Sequence, residues 1–195
     1  MGSGKNGTFD IKPDFHQWAL LYTMAEPEAH APLFIQRYLK FFGCDIKQII
    51  MQPLEGHGLW DGKKVFGEFL KQNSYDGPVA VLTRATIRIN RLKNFWQNVD
   101  AVADKMTTSQ GFILSYGIGE IPWIKQATFS IWENKESMKA FAYNMQQHIE
   151  VIKKTRQEKW YAEELFVRFK ILAVKGFDKY LEAKICTLQA SYDEA

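Results

Sequence analysis

The chain predicts an α+β fold built on the order β-α-β-β-α-β, and three observations carry that expectation. Val79 to Ile89 is a β-branched run that ends where polar residues begin, which reads as a strand. Leu92, Phe95, Trp96, Val99, Val102, Ala103 and Met106 recur at helical spacing, and so do Met138, Phe141, Ala142, Met145, His148, Ile149 and Ile152. Between these stripes Lys125, Ala127, Phe129 and Ile131 alternate with Gln126, Thr128, Ser130 and Trp132, the period of two that a pleated strand imposes.

The remaining elements follow in order. Gly111 closes the first helix, Phe112 to Tyr116 is a strand, Gly117 to Pro122 a turn and Ile124 to Trp132 its hairpin partner. Ser137 is the expected N-cap of the second helix. Leu165 to Val174 supplies the closing strand before Gly176. This order is the ferredoxin-like split motif. Residues 1–75 show a partial version of the same pattern. Gly2-Ser3-Gly4 would parallel Gly117-Ile118-Gly119, Phe15 to Met24 the strand ending at Trp132, Pro27 to Phe42 the helix carrying His148, and Ile46 to Leu54 the closing strand. The expected organisation is therefore an incomplete ferredoxin-like half over 1–75, a complete half over 76–177 and a C-terminal extension over 178–195, the two halves forming a dimeric-type α/β barrel. An unrelated α/β extension is the alternative for the first segment.

With 195 residues, of which 46% are hydrophobic and 14% aromatic, the chain can bury a sizeable core. A net charge of +3, from 25 basic and 22 acidic residues scattered along the sequence, forms no basic stripe and argues against nucleic-acid binding. Cys44 and Cys186 have no Cys-x-x-Cys spacing and read as free thiols in a reducing cytoplasm. No run is long and apolar enough to span a bilayer, which leaves contact with a membrane surface open.

Several residues invite chemistry. His148 is an imidazole on an apolar helix stripe, where a hydrogen-bonded core role competes with ligation. Arg84 lies mid-strand on the face of Leu82 and Thr86, where a charge needs a partner: an anionic ligand, or a salt bridge to Glu120, Glu163 or Glu164. Gln126, Thr128 and Ser130 share one strand face and form either a polar pocket wall or a solvent-facing row. Trp96, Phe129, Trp132, Phe141, Tyr143 and Met145 supply large apolar surface. His16, His30 and His57 are expected at the surface, and Glu163-Glu164 as a solvated pair.

The segments Leu82-Thr83-Arg84-Ala85-Thr86-Ile87, Tyr116-Gly117-Ile118-Gly119-Glu120-Ile121-Pro122, Gln126 to Trp132 and Trp160 to Phe169, with Gly58-Leu59-Trp60-Asp61-Gly62 upstream, resemble the spheroidene monooxygenase family, haem-associated enzymes that oxidise acyclic carotenoids. The family pattern has a strand and helix ahead of the Gly-Ser-Gly turn, roughly 40 residues that this sequence lacks. The resemblance implies a monooxygenase acting on a carotenoid or other apolar polyene at a haem. His148 would be the axial metal ligand, and Arg84 would meet a propionate. Phe129, Phe141 and Met145 would pack on the cofactor, and Gln126 with Arg84 would serve the reacting centre. The missing strand would leave an unpaired sheet edge, a template for pairing, so a homo-oligomer is expected. A cofactor-independent oxygenase and a non-catalytic haem- or lipid-binding protein are the alternatives.

Overall fold

The computed structural model describes residues 2–3, 11–24, 33–69, 74–144, 155 and 157–193. Its elements are β1 (Gly2–Ser3), β2 (Pro13–Asp14), α1 (Leu33–Phe41), β3 (Gln48–Gly58), β4 (Val79–Ile87), α2 (Leu92–Thr107), β5 (Phe112–Ile121), β6 (Lys125–Trp132), α3 (Lys135–Asn144), β7 (Tyr161–Lys175) and α4 (Lys179–Asp193). They form one sheet in the order β2-β1-β5-β6-β4-β7-β3, with all neighbours antiparallel. The inner four strands, β5-β6-β4-β7, with α2 and α3 as crossovers, are the ferredoxin-like arrangement that the element order predicts.

Each face of this sheet has its own core, because alternate residues of a strand point to opposite sides. On one face Val79, Val81 and Trp132 pack against Met138 and Phe141 of α3, and Ile87 packs against Phe95 and Val99 of α2. On the other face Ala80, Leu82, Phe129, Ile131, Val167 and Phe169 meet Ile185 of α4, with Trp60 and Phe66 against them. The C-terminal extension is thus a helix whose buried Ile185 covers the face away from α2 and α3. Asp178 starts it, accepting a hydrogen bond from the Leu181 N–H at 2.9 Å.

Four local expectations change. The turn expected over Gly117 to Pro122 is mostly strand, since β5 runs on to Ile121. Its glycines do not take the left-handed angle that a turn would need; Trp123 does, at φ 65°. The N-cap of α3 is Asn134, whose Oδ1 accepts from the Ser137 N–H at 2.8 Å, rather than Ser137 itself. Phe15 to Met24 forms no strand, and Phe15, Trp18 and Leu20 are exposed there. A strand needs a ladder partner, and no described strand lies alongside. The strand expected over Ile46 to Leu54 is β3, which pairs with β7 at the edge of the same sheet.

Candidate active site

Strand β4 sits between β6 and β7 and is buried along almost its whole length, yet Thr83 at its middle is exposed. Its register places it on the face that carries α2 and α3. The helices touch that face on either side of it, α2 at Ile87 and α3 at Val79 and Trp132. The exposed stretch between these contacts is the candidate cleft, its floor one row across four strands: Thr128 of β6, Thr83 of β4, Phe166 of β7 and His57 of β3. His57 stacks on Phe166, with ring centroids 5.5 Å apart.

Two further rows border this floor. Toward one end lie Gln126, Ala85 and Glu164. Gln126 is buried, and its Nε2 donates to the Ile121 carbonyl at 3.2 Å. Toward the other lie Ser130, Val81, Arg168 and Glu55. Ser130 accepts a hydrogen bond from the Trp132 indole at 2.9 Å, and Trp132 stacks on Phe141 at 5.2 Å. Arg168 is completely buried and its Nη2 lies 2.9 Å from Glu55, but Nε, Nη1 and Nη2 make no well-formed hydrogen bond. Burial pulls this guanidinium below its ordinary pKa, only partly opposed by Glu55 and Asp76.

Arg84 faces the other way. It pairs with Ala127 and shares the side of Leu82 and Phe129, where it is 1% exposed. Its Nε donates to Glu120 at 2.8 Å, Nη1 to Glu163 at 2.8 Å and Nη2 to Asp61 at 2.9 Å, while Trp60 lies 4.8 Å from the guanidinium carbon. Burial works against its charge, but the carboxylates around it outweigh that and raise its pKa. Lys125 also reaches Asp61, at 2.7 Å, and this bond together with Arg84 holds the Asp61 carboxyl below its usual range. Burial pushes Glu163 up, but the N–H groups of Gly62 and Asp61 and the Arg84 guanidinium bring it below its usual value. Of the two partners left open for Arg84, a ligand's anion and a carboxylate, the structure supplies three carboxylates.

The sheet therefore separates residues that the family pattern groups together. Gln126 and Phe141 lie on the helix side, Arg84 and Phe129 on the opposite side, because Phe129 and Gln126 are an odd number of positions apart on β6. Phe129 and Phe141 cannot line one pocket, and Gln126 and Arg84 cannot serve one reacting centre. His148 and Met145 lie outside the described residues, as does His30. His57 and Arg168 are cleft residues that periodicity alone does not single out. The signal for Arg168 is a charge on the face of a strand that is buried on both sides; for His57 it is the β3–β7 register, which no local pattern reveals. Cys44 and Cys186 are exposed and unpaired. Among the described residues no group of three or more His, Cys, Asp or Glu side chains is arranged to hold a metal ion, and no helix is long and apolar enough to cross a membrane.

No family model matches the chain. Curated proteins do. It is 36% identical over 182 residues to a spheroidene monooxygenase of Cereibacter sphaeroides, a match covering 90% of this chain and 55% of that protein. Its identity to the spheroidene monooxygenase of Rhodobacter capsulatus is 33%, covering 90% of this chain and 75% of the relative. For that of Rubrivivax gelatinosus it is 33%, covering 90% and 68%. The chain spans about half the length of the Cereibacter relative. Solved structures resemble it only in part. A cofactor-independent oxygenase of Streptomyces nogalater aligns at TM-score 0.38 and 12% identity, over 46% of this chain and 89% of its own. A protein of Mycobacterium tuberculosis aligns at TM-score 0.42 and 11% identity, over 47% and 92%. With a third of residues identical across nine-tenths of its length, and across three quarters of the Rhodobacter protein, the chain belongs to the spheroidene monooxygenase family.

Proposed function

We propose that the protein is an oxygenase that inserts oxygen into an acyclic carotenoid or similar apolar polyene, with the reacting centre in the cleft above Thr83. The observation that carries this reading is the exposed middle of a central strand, flanked by helix contacts, in a chain of this family. A bound haem would supply the redox chemistry and activate dioxygen there.

The cleft fits such a group in two respects. Phe166 in its floor and Phe141 at the adjoining α3 contact give it apolar surroundings, and Arg168 brings a buried guanidinium without well-formed hydrogen bonds one row from Thr83, which suits a propionate better than Arg84 does. The residue we propose would hold the haem iron is His148, the histidine to which the family resemblance assigns that role. Thr83 and Thr128 then orient polar atoms by their hydroxyls, Gln126 borders them, and the aromatic walls keep water from the polyene.

The test is an assay with an acyclic carotenoid, a reductant and isotopically heavy dioxygen, on haem-reconstituted protein. The reading expects a product carrying one heavy oxygen atom. Unlabelled product or recovered substrate would overturn it.

A further inference from the structure

We propose that the end of the sheet formed by the β5–β6 hairpin tip, the entry to α2 and Ile11 is a docking surface for an anionic lipid bilayer. Four large apolar side chains stand out there: Ile89 at 76% exposure, Trp123 at 49%, Ile11 at 47% and Ile121 at 44%. They adjoin an open cleft of about 600 Å³ lined by Ile11, Leu92, Lys93, Trp96, Gln97 and Trp123. Single exposed apolar residues are ordinary, but a cluster of this kind marks an interaction site.

The polar atoms of the cluster are turned inward. The Trp96 indole donates to the Trp123 carbonyl at 3.3 Å, and the Trp123 indole donates to the Ile11 carbonyl at 3.1 Å. Both rings can therefore enter the headgroup region without stranding a donor. Trp123 holds this place at φ 65°, an angle that costs a bulky residue backbone strain and that a glycine would take freely. A tryptophan kept there against its backbone preference points to a use for the ring.

Charge selects the partner. Arg88 flanks Ile89 in the chain, Lys93 lines the cleft, and both are exposed. Most carboxylates nearby are already engaged: Glu158 by Arg91, and Asp61, Glu120 and Glu163 by Arg84, with Lys125 also on Asp61; Glu164, opposite Ala85, is exposed. What remains outward is apolar surface with a cationic rim, the pattern of an interfacial anchor on anionic lipid. A bilayer surface is also where an apolar polyene resides. The inference itself does not depend on turnover, since vesicle binding is measured without it.

The experiment is co-sedimentation of the whole chain with phosphatidylcholine vesicles, with and without about one third phosphatidylglycerol. Binding is expected on the mixed vesicles and at least several-fold weaker on phosphatidylcholine alone. Trp123→Gly and Ile89→Asn should each weaken binding to mixed vesicles about tenfold while melting near the wild-type temperature. Lys93→Glu should weaken binding only where phosphatidylglycerol is present. Absence of binding to mixed vesicles overturns the proposal, as does binding unchanged in folded Trp123→Gly. If light scattering shows a wild-type dimer that Trp123→Gly dissociates, the surface pairs with a second copy, and the proposal is likewise overturned.

Discussion

Replacing Arg84 by methionine removes the cation from a cage of three carboxylates while keeping most of the apolar stem against Trp60. Breaking a buried ion pair from one side costs roughly 3–5 kcal/mol. Asp61, Glu120 and Glu163 retain 50%, 35% and 21% exposure and can partly rehydrate, so we take about 2–3 kcal/mol at neutral pH. For a domain of this size that is a fall in Tm of about 4–12 °C. The pH dependence carries a sign. Asp61 and Glu163 are held below their ordinary values, so the stability they lend is present above the unfolded carboxylate pKa and is lost as pH falls through their folded values. Without Arg84 the carboxylates lose their shared cation, although Lys125 stays on Asp61 and two backbone N–H groups stay on Glu163, and protonation relieves the repulsion that remains. The stability gap between wild type and variant should be widest above about pH 5 and close toward about pH 3. Urea unfolding followed by tryptophan fluorescence across that range measures it. A gap below about 1 kcal/mol at pH 7, or one that does not change with pH, would refute the reasoning.

Gly58 has φ 91°, and a Cβ there would be driven into the Glu164 carbonyl of the adjacent strand; Gly58→Ala should cost about 2–4 kcal/mol, read as a lowered urea midpoint with the m-value unchanged. After haem addition, His148→Ala should lose at least about tenfold in haem affinity and shift the Soret band, because removing the proposed iron ligand would change the field at the metal. His57→Ala should leave the band in place, since His57 ends the floor row on the edge strand, stacked on Phe166, and is not the proposed ligand; absorption titration of both variants separates the two imidazoles.

The central unit follows from its sequence because its signals are local. The β-branched run at Val79 and the stripe from Leu92 to Met106 each specify one element through side-chain period, and β4 and α2 form there. The Gly117-Ile118-Gly119 segment misleads for a physical reason: a glycine can accept a turn angle but does not require one, and here β6 pairs with it as strand. The left-handed angle falls on Trp123, where no propensity would put it. The partners of Arg84 are partly visible, because a mid-strand charge must find carboxylates and Glu120 and Glu163 are candidates by sign. Asp61 comes from a turn 23 residues upstream and needs the β3–β7 register to arrive. The same register brings His57 to the cleft. Strand alternation already places Phe129 and Gln126 on opposite sides; family likeness groups residues by motif and carries no such constraint.

The central claim is that haem occupies the cleft above Thr83, and it is tested most directly by titrating haem into wild type and Thr83→Trp while following the Soret band. Thr83 is exposed, so the larger ring can fill the cleft without overpacking the core, and melting curves should nearly coincide. The account predicts saturable binding in the wild type and its loss in Thr83→Trp. No Soret shift in the wild type, or an identical titration in a folded Thr83→Trp, would contradict it.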